Sequence, residues 1–278
     1  QSRTPLNSGK AIGHIADFKA IEFIRMYMNG SSKEAVIRFA RFQLVSTTWR
    51  TARDYMGPET DTLLPDPQPG SFFNIGTVNI EENANRQPFP YVLPPGILRQ
   101  QQIASTQPGL LQNEQSLVMK SCGLTDGDGR GAFKLVNYDM RSYQRLKMWV
   151  HAENIPGSAQ EFQDGELRAF IRLGSDVQNN YYEYEIPLKP SDPGATDSLG
   201  IWANQFDVVL ADLAIAKAER NQQNFPVINR FQYDLQDPNR PGHRVYVVGT
   251  PKTSDVKAMM VGIRNEADGR GPICAEVW

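Results

Sequence analysis

Cysteine is almost missing from this chain: Cys122 and Cys274 are the only two in 278 residues. Neither has another cysteine or a histidine at the short spacing of a zinc site, which argues against a metal centre built on them. They read equally as two separate buried thiols or as a pair drawn from the two ends of one module. Histidine is nearly as scarce. His14, His151 and His243 stand far apart, with no nucleophile elbow and no His-Glu-x-x-His pattern around them. No enzyme is expected, and no cofactor. A surplus of either charge is missing too, since 29 basic residues face 31 acidic ones for a net of -2. Such a chain has no field to gather nucleic acid or anionic lipid, so nucleic acid is not an expected partner. Finally, no apolar run approaches the roughly 18 residues of a membrane-spanning helix, and the first residues carry no signal-peptide core. Taken alone, the chain reads as soluble.

What is abundant is the chemistry of strands and turns. The 19 prolines and 22 glycines accompany 10 tyrosines, 13 phenylalanines and 4 tryptophans, a composition of strands joined by turns rather than of a helix bundle. Residues 17–45 read as a hairpin, "FKAIEFIRMYM" and "AVIRFARFQLV" around Asn29-Gly30. Over 56–112 prolines crowd out both helix and ladder and predict an extended connector. Its Phe72, Phe73, Phe89, Tyr91, Val92 and Leu93 place it against protein. Strands then resume as "QSLVMKSC", "GAFKLVN", "RLKMWVHAE", "ELRAFIRLG" and "NYYEYEIPLK", and later as "RVYVVGTP", "VKAMMVGIRN" and "PICAEVW". Each is bounded by turn residues, the rhythm of a sandwich or barrel. One helix is expected over 204–222, where Phe206, Val209, Leu210 and Leu213 recur at helical spacing.

The pair 167–174 and 179–188 sets its own register. With Leu173 opposite Tyr182, Ile171 meets Tyr184, Ala169 meets Ile186 and Leu167 meets Leu188, so all eight share a core face. The other face then sets Arg172 opposite Glu183 and Phe170 opposite Glu185. It is expected to be the less buried one, turned to solvent or a partner.

A short phrase recurs: "DFKAIEFIR" from Asp17 and "DVKAMMVGIR" from Asp255, each followed by a polar turn and a second apolar strand. Each is read as opening the closing hairpin of a module, with its Arg (Arg25, Arg264) at the strand end before the turn. The expected organisation is therefore 1–55, the closing hairpin of a preceding sandwich whose earlier strands lie before residue 1; 56–112, the connector; and 113–278, a complete jelly-roll-like antiparallel β-sandwich with a helical insert.

Candidate binding residues are few. "TDGDGRG" resembles half a calcium loop through Asp126 and Asp128, but Arg130 occupies a ligand position and no glutamate follows, which favours a glycine-rich turn. Trp149, Tyr181 and Phe170 form the candidate surface for a partner or a sugar.

Several long strings resemble one family. "VNIEENANRQPFPYVLPPGI", "NEQSLVMKSCGLTDGDGRGAFK", "YDMRSYQRLKMWVHAE", "LRAFIRLGSDVQNNYYEYEIPLK" and the closing "KAMMVGIRN" with "ICAEVW" resemble the SprA (Sov) proteins of Bacteroidota. The first copy of the repeat resembles the segment that precedes them. The resemblance implies a giant outer-membrane barrel, the translocon of type IX secretion and of the adhesins of gliding motility, of which this chain is an internal, non-membrane part. Its partners would be the rest of that barrel protein, other secretion subunits and exported cargo. Its place would be the outer membrane, on the cell surface or the periplasmic side. That oxidising setting implies a disulfide between Cys122 and Cys274. A carbohydrate-binding sandwich module is the competing reading, and an accessory domain of a glycan-processing enzyme a third.

Overall fold

Strand patterning dominates the fold, as composition requires. The structure, a computed structural model, describes residues 49–52, 55–57, 63–64, 71–101, 111–158 and 160–278. The hairpin expected at 17–45, and with it the comparison of the two repeated phrases, lies outside the described residues. Among the described residues three two-residue strands come first: β1 (Arg50–Thr51), β2 (Tyr55–Met56) and β3 (Leu63–Leu64). β4 (Phe72–Asn79) leads into the one-turn helix α1 (Ile80–Asn83), capped by Asn79, whose side chain accepts from the Glu81 and Glu82 N–H groups. Next come β5 (Gln115–Leu124), β6 (Gly129–Tyr138), β7 (Arg145–Val150), β8 (Ala152–Asn154), β9 (Leu167–Gly174) and β10 (Tyr181–Pro187). The rest is α2 (Ser198–Ile201), β11 (Asn204–Val209), α3 (Leu210–Gln222), β12 (Phe231–Asp234), β13 (Arg244–Val248), β14 (Val256–Asn265) and β15 (Ile273–Val277).

The large sheet runs β12-β13-β10-β9-β14-β6-β2-β3, with β1 also on β6. A second runs β4-β5-β15-β8, and β7 with β11 make a third. The core lies between the large sheet and the other two. Ile171, Leu173, Tyr182, Tyr184, Val247 and Ile263 come from one side, and Met119, Ala152, Ala275, Val277, Phe206 and Val208 from the other. This is the expected antiparallel β-sandwich. The register of β9 against β10 is also the expected one: Leu173 pairs with Tyr182, Ile171 with Tyr184, Ala169 with Ile186 and Arg172 with Glu183.

Three expectations are corrected. The predicted helix starts late: Asn204–Val209 is a strand, because Phe206 and Val208 alternate inward against Gln205 and Asp207, and a ladder on β7 is open to them. Only Leu210–Gln222 is helical, burying Leu213, Ala216 and Arg220. The "VKAMMVGIRN…ICAEVW" pair is not a hairpin. β14 pairs with β6 and β9, whereas β15 pairs with β5 and β8, so the turn between them carries the chain from one sheet to the other. Gly269 and Gly271 take φ of +79° and +95° in that turn. The buried Asn265 side chain fixes it, donating to the carbonyls of Leu124 (2.9 Å) and Gly271 (3.0 Å). The expected connector, lastly, is built into the sandwich: β4 pairs with β5 along its whole length, from Phe72–Cys122 to Asn79–Gln115. Residues 47–278 gather into one compact unit.

Candidate functional site

The alternation that buries one face of β9, β10 and β14 lines the other with charge. Arg168, Phe170 and Arg172 share that face with Glu183, Glu185, Met260 and Arg264. Arg172 pairs with Glu183. Arg264 lies 2.9 Å from Glu185 and 3.5 Å from Glu183, Arg168 lies 3.0 Å from Glu185, and Arg230 also pairs with Glu183. The face is not the less buried one: Arg172, Glu183 and Glu185 are all 0% exposed. Part of the cover is an apolar cluster of Ala52, Met56, Phe170 and Met260, in which Ala52 is assigned from sequence to the preceding module and Met56 to the connector. Gly262 makes room for Phe170, whose ring atoms would stand 2.2 Å from an added Cβ. The Arg230 guanidinium lies 3.3 Å from the centre of the Tyr246 ring. Burial, followed by the Glu185 charge, pushes the Tyr246 hydroxyl up to about 12.

The sugar platform is corrected by the same burial. Tyr181 is 1% exposed under the Arg172 guanidinium, 4.3 Å away, and Phe170 is wholly buried. Trp149 stands on β7, in another sheet, half-buried against an aromatic cluster of its own. The structure does not bring the three together.

That second cluster is one the sequence reading missed. Tyr91, Trp202 and Trp278 meet at ring separations of 5.8 to 5.9 Å, and the His151 ring sits 4.0 Å from Trp278. The proline-rich segment is fastened here: the Trp202 indole N–H donates to the Val92 carbonyl (2.9 Å) and Ser198 to that of Leu93 (2.6 Å). Arg86 pairs with Glu153 and, at 2.7 Å, with Glu276. Burial alone would push the Glu153 carboxyl up, but His151 and Arg86 together hold it below its ordinary value.

Ser191, His151 and Glu153 make the pairwise contacts of a hydrolase triad, with Ser191 Oγ 2.8 Å from His151 Nδ1 and Glu153 3.4 Å from Nε2. Their surroundings deny them that role. All three are buried, Arg86 engages the carboxylate, and the serine hydroxyl donates to the Ile201 carbonyl at 2.8 Å. The set ties β8 to the loop before β11.

Cys122 and Cys274 are disulfide-bonded directly across the β5–β15 ladder, with Cα atoms 3.9 Å apart. Asp126 and Asp128 serve the β5–β6 turn. Asp126 accepts from the Gly271 N–H (3.2 Å), Asp128 from the Thr125 hydroxyl (3.0 Å), and Gly127 between them takes φ of +75°. Among the described residues no three His, Cys, Asp or Glu side chains gather where a metal ion would sit, and no helix is long and apolar enough to cross a membrane.

Compared with known proteins, residues 3–278 match the SprA_N family model, described as motility related/secretion protein. No curated protein matches.

Proposed function

The chain belongs to the SprA_N family of motility-related and secretion proteins, and on that premise we propose that it is a structural module of an outer-membrane barrel exporting folded proteins by type IX secretion. The family match carries the secretion and motility role. The finer reading rests on the resemblance to SprA proteins and on how the polar groups are used. Arg172, Glu183, Glu185, His151 and Glu153 are consumed in internal pairing, which suits a rigid scaffold better than a reacting centre. On this reading its partners are the remainder of the barrel protein, other secretion subunits and cargo, at the outer membrane on its surface or periplasmic side. The chemistry of export belongs elsewhere in the assembly.

The carbohydrate-binding reading loses two of its three aromatics to burial. A glycan array with the unmodified chain and Trp149→Ala separates the two. The scaffold reading expects no selective glycan signal. Selective binding abolished by Trp149→Ala would replace it with the lectin reading.

A further inference from the structure

One stripe of α3 borders a cleft instead of the core. Ala214, Lys217, Ala218 and Asn221 recur at helical spacing beside the residues that bury Leu213, Ala216 and Arg220, and they face the turn between β13 and β14. The cleft between helix and turn holds about 400 Å³, a size at which clefts take small molecules, and the two alanines leave it room.

The turn is pinned in place. The Thr253 carbonyl accepts from the Met140 N–H (2.8 Å), the Lys252 carbonyl from the Asp255 N–H (3.2 Å), and the Thr250 N–H donates to the Asn180 side chain (3.1 Å). The Pro251 carbonyl accepts from both Lys217 Nζ (2.8 Å) and the Tyr182 hydroxyl (3.1 Å), which fixes the lysine and uses one of its amine's three donors.

Charge in this corner is of one sign. Lys217 and Lys252 line the cleft, and among the described residues no Asp or Glu does. The Arg220 guanidinium is buried and spends its fork on neutral acceptors, with Nη1 2.6 Å from the Gly249 carbonyl and Nη2 3.1 Å from Asn221 Oδ1. Burial, then the charges of Arg220 and Lys252, push the Lys217 amine below its ordinary value, as cations gathered together require. The C-terminal end of α3 opposes the two ammonium charges by only about half a charge. Its carbonyls at Glu219, Arg220 and Asn221 already accept from the N–H groups of Gln223, Phe225 and Asn224.

Two ammonium groups beside the Thr253 and Ser254 hydroxyls match a tetrahedral dianion. A phosphate ester brings about −1.5 to −2 charges and three strong acceptor oxygens near neutral pH. A carboxylate brings one charge and is best held by a guanidinium fork, and the Arg220 fork is taken. We propose that this cleft binds a phosphate monoester, its oxygens held by Lys217, Lys252 and the hydroxyls of Thr253 and Ser254, its organic part lying against Ala214 and Ala218. The ester is either a small soluble molecule or a lipid headgroup.

The test titrates the 278-residue chain at constant ionic strength with glycerol phosphate and with glycerate, its carboxylate counterpart, following the Thr253 and Ser254 amides by NMR. In parallel the chain is sedimented with phosphatidylcholine vesicles that carry or lack phosphatidic acid. Glycerol phosphate is expected to shift both amides saturably, glycerate is not, and Lys252→Gln should weaken the response about tenfold or more. Lys252 is exposed, so this variant keeps its fold where Lys217→Met might not; Lys189→Gln, outside the cleft, should change nothing. Sedimentation that needs both phosphatidic acid and Lys252, without a response to the soluble ester, assigns the phosphate to a lipid headgroup and keeps the site. The proposal is overturned if glycerate acts as well as the ester, if Lys189→Gln weakens binding as much as Lys252→Gln, or if neither phosphate source gives a response that depends on Lys252.

Discussion

Arg172 and Glu183 are direct cross-strand neighbours on β9 and β10, and neither side chain reaches solvent. A buried carboxylate that serves Arg172, Arg230 and Arg264 together is costly to remove, because the arginines lose a shared counter-charge in a low-dielectric setting. Glu183→Ala is expected to lower unfolding free energy by roughly 3–5 kcal/mol, against the at most ~1 kcal/mol of a surface pair. Urea titration checks this, and a double-mutant cycle with Arg172→Met should give a coupling well above ~0.5 kcal/mol.

The Cys122–Cys274 bond spans a sequence separation of 152 residues. In the chain-entropy account a loop of that size stabilises by roughly 4–5 kcal/mol. The Cys122→Ala/Cys274→Ala variant should unfold at a correspondingly lower denaturant midpoint. Unfolded wild type should show no free thiol until reductant is added; two titratable thiols would contradict the assignment.

His243 makes stability depend on pH. Burial, then the charges of Arg240 and Arg168, push the imidazole down to about 4, while its Nδ1 sits 2.9 Å from the Tyr184 hydroxyl. In the unfolded chain the ring titrates near ~6.5. Between those values the unfolded state holds a proton that the fold refuses, so this contribution is complete above about 6.5 and is lost as pH falls toward 4. The ring is partly exposed, so the loss is discounted to on the order of 1–2 kcal/mol. His243→Gln should flatten the stability profile across that interval and leave it unchanged above it.

Trp202 fastens the proline-rich segment through Val92 and packs on Tyr91 and Trp278. Trp202→Ala is expected to cost roughly 3–5 kcal/mol. It should also speed amide exchange over residues 86–97 more than over β9 and β10. Uniform acceleration would mean that the segment is not held chiefly at this point.

Sequence alone carried the sandwich and the β9–β10 register, because eight apolar residues at period two admit only one alignment. It could not show which face was covered. Arg172 opposite Glu183 looks the same in a sequence whether water or protein lies above it, and the cover from Ala52 and Met56 is distant along the chain. Nor could it separate a hairpin from a cross-over. β14 and β15 have the alternation of paired strands, and their different partners are decided by Asn265 and the turn glycines, local features with no periodic trace. The His151–Trp278–Arg86 assembly joins four distant segments, so no motif marks it.

The central claim, that this module is needed for export and motility as a scaffold, is tested most directly in cells that carry the full-length protein with residues 49–278 removed, scoring cargo in the medium, surface gliding and the abundance of the truncated protein in the outer membrane. The account predicts that the truncated protein is present while cargo stays inside the cell and gliding stops. Normal export and gliding without the module would contradict it.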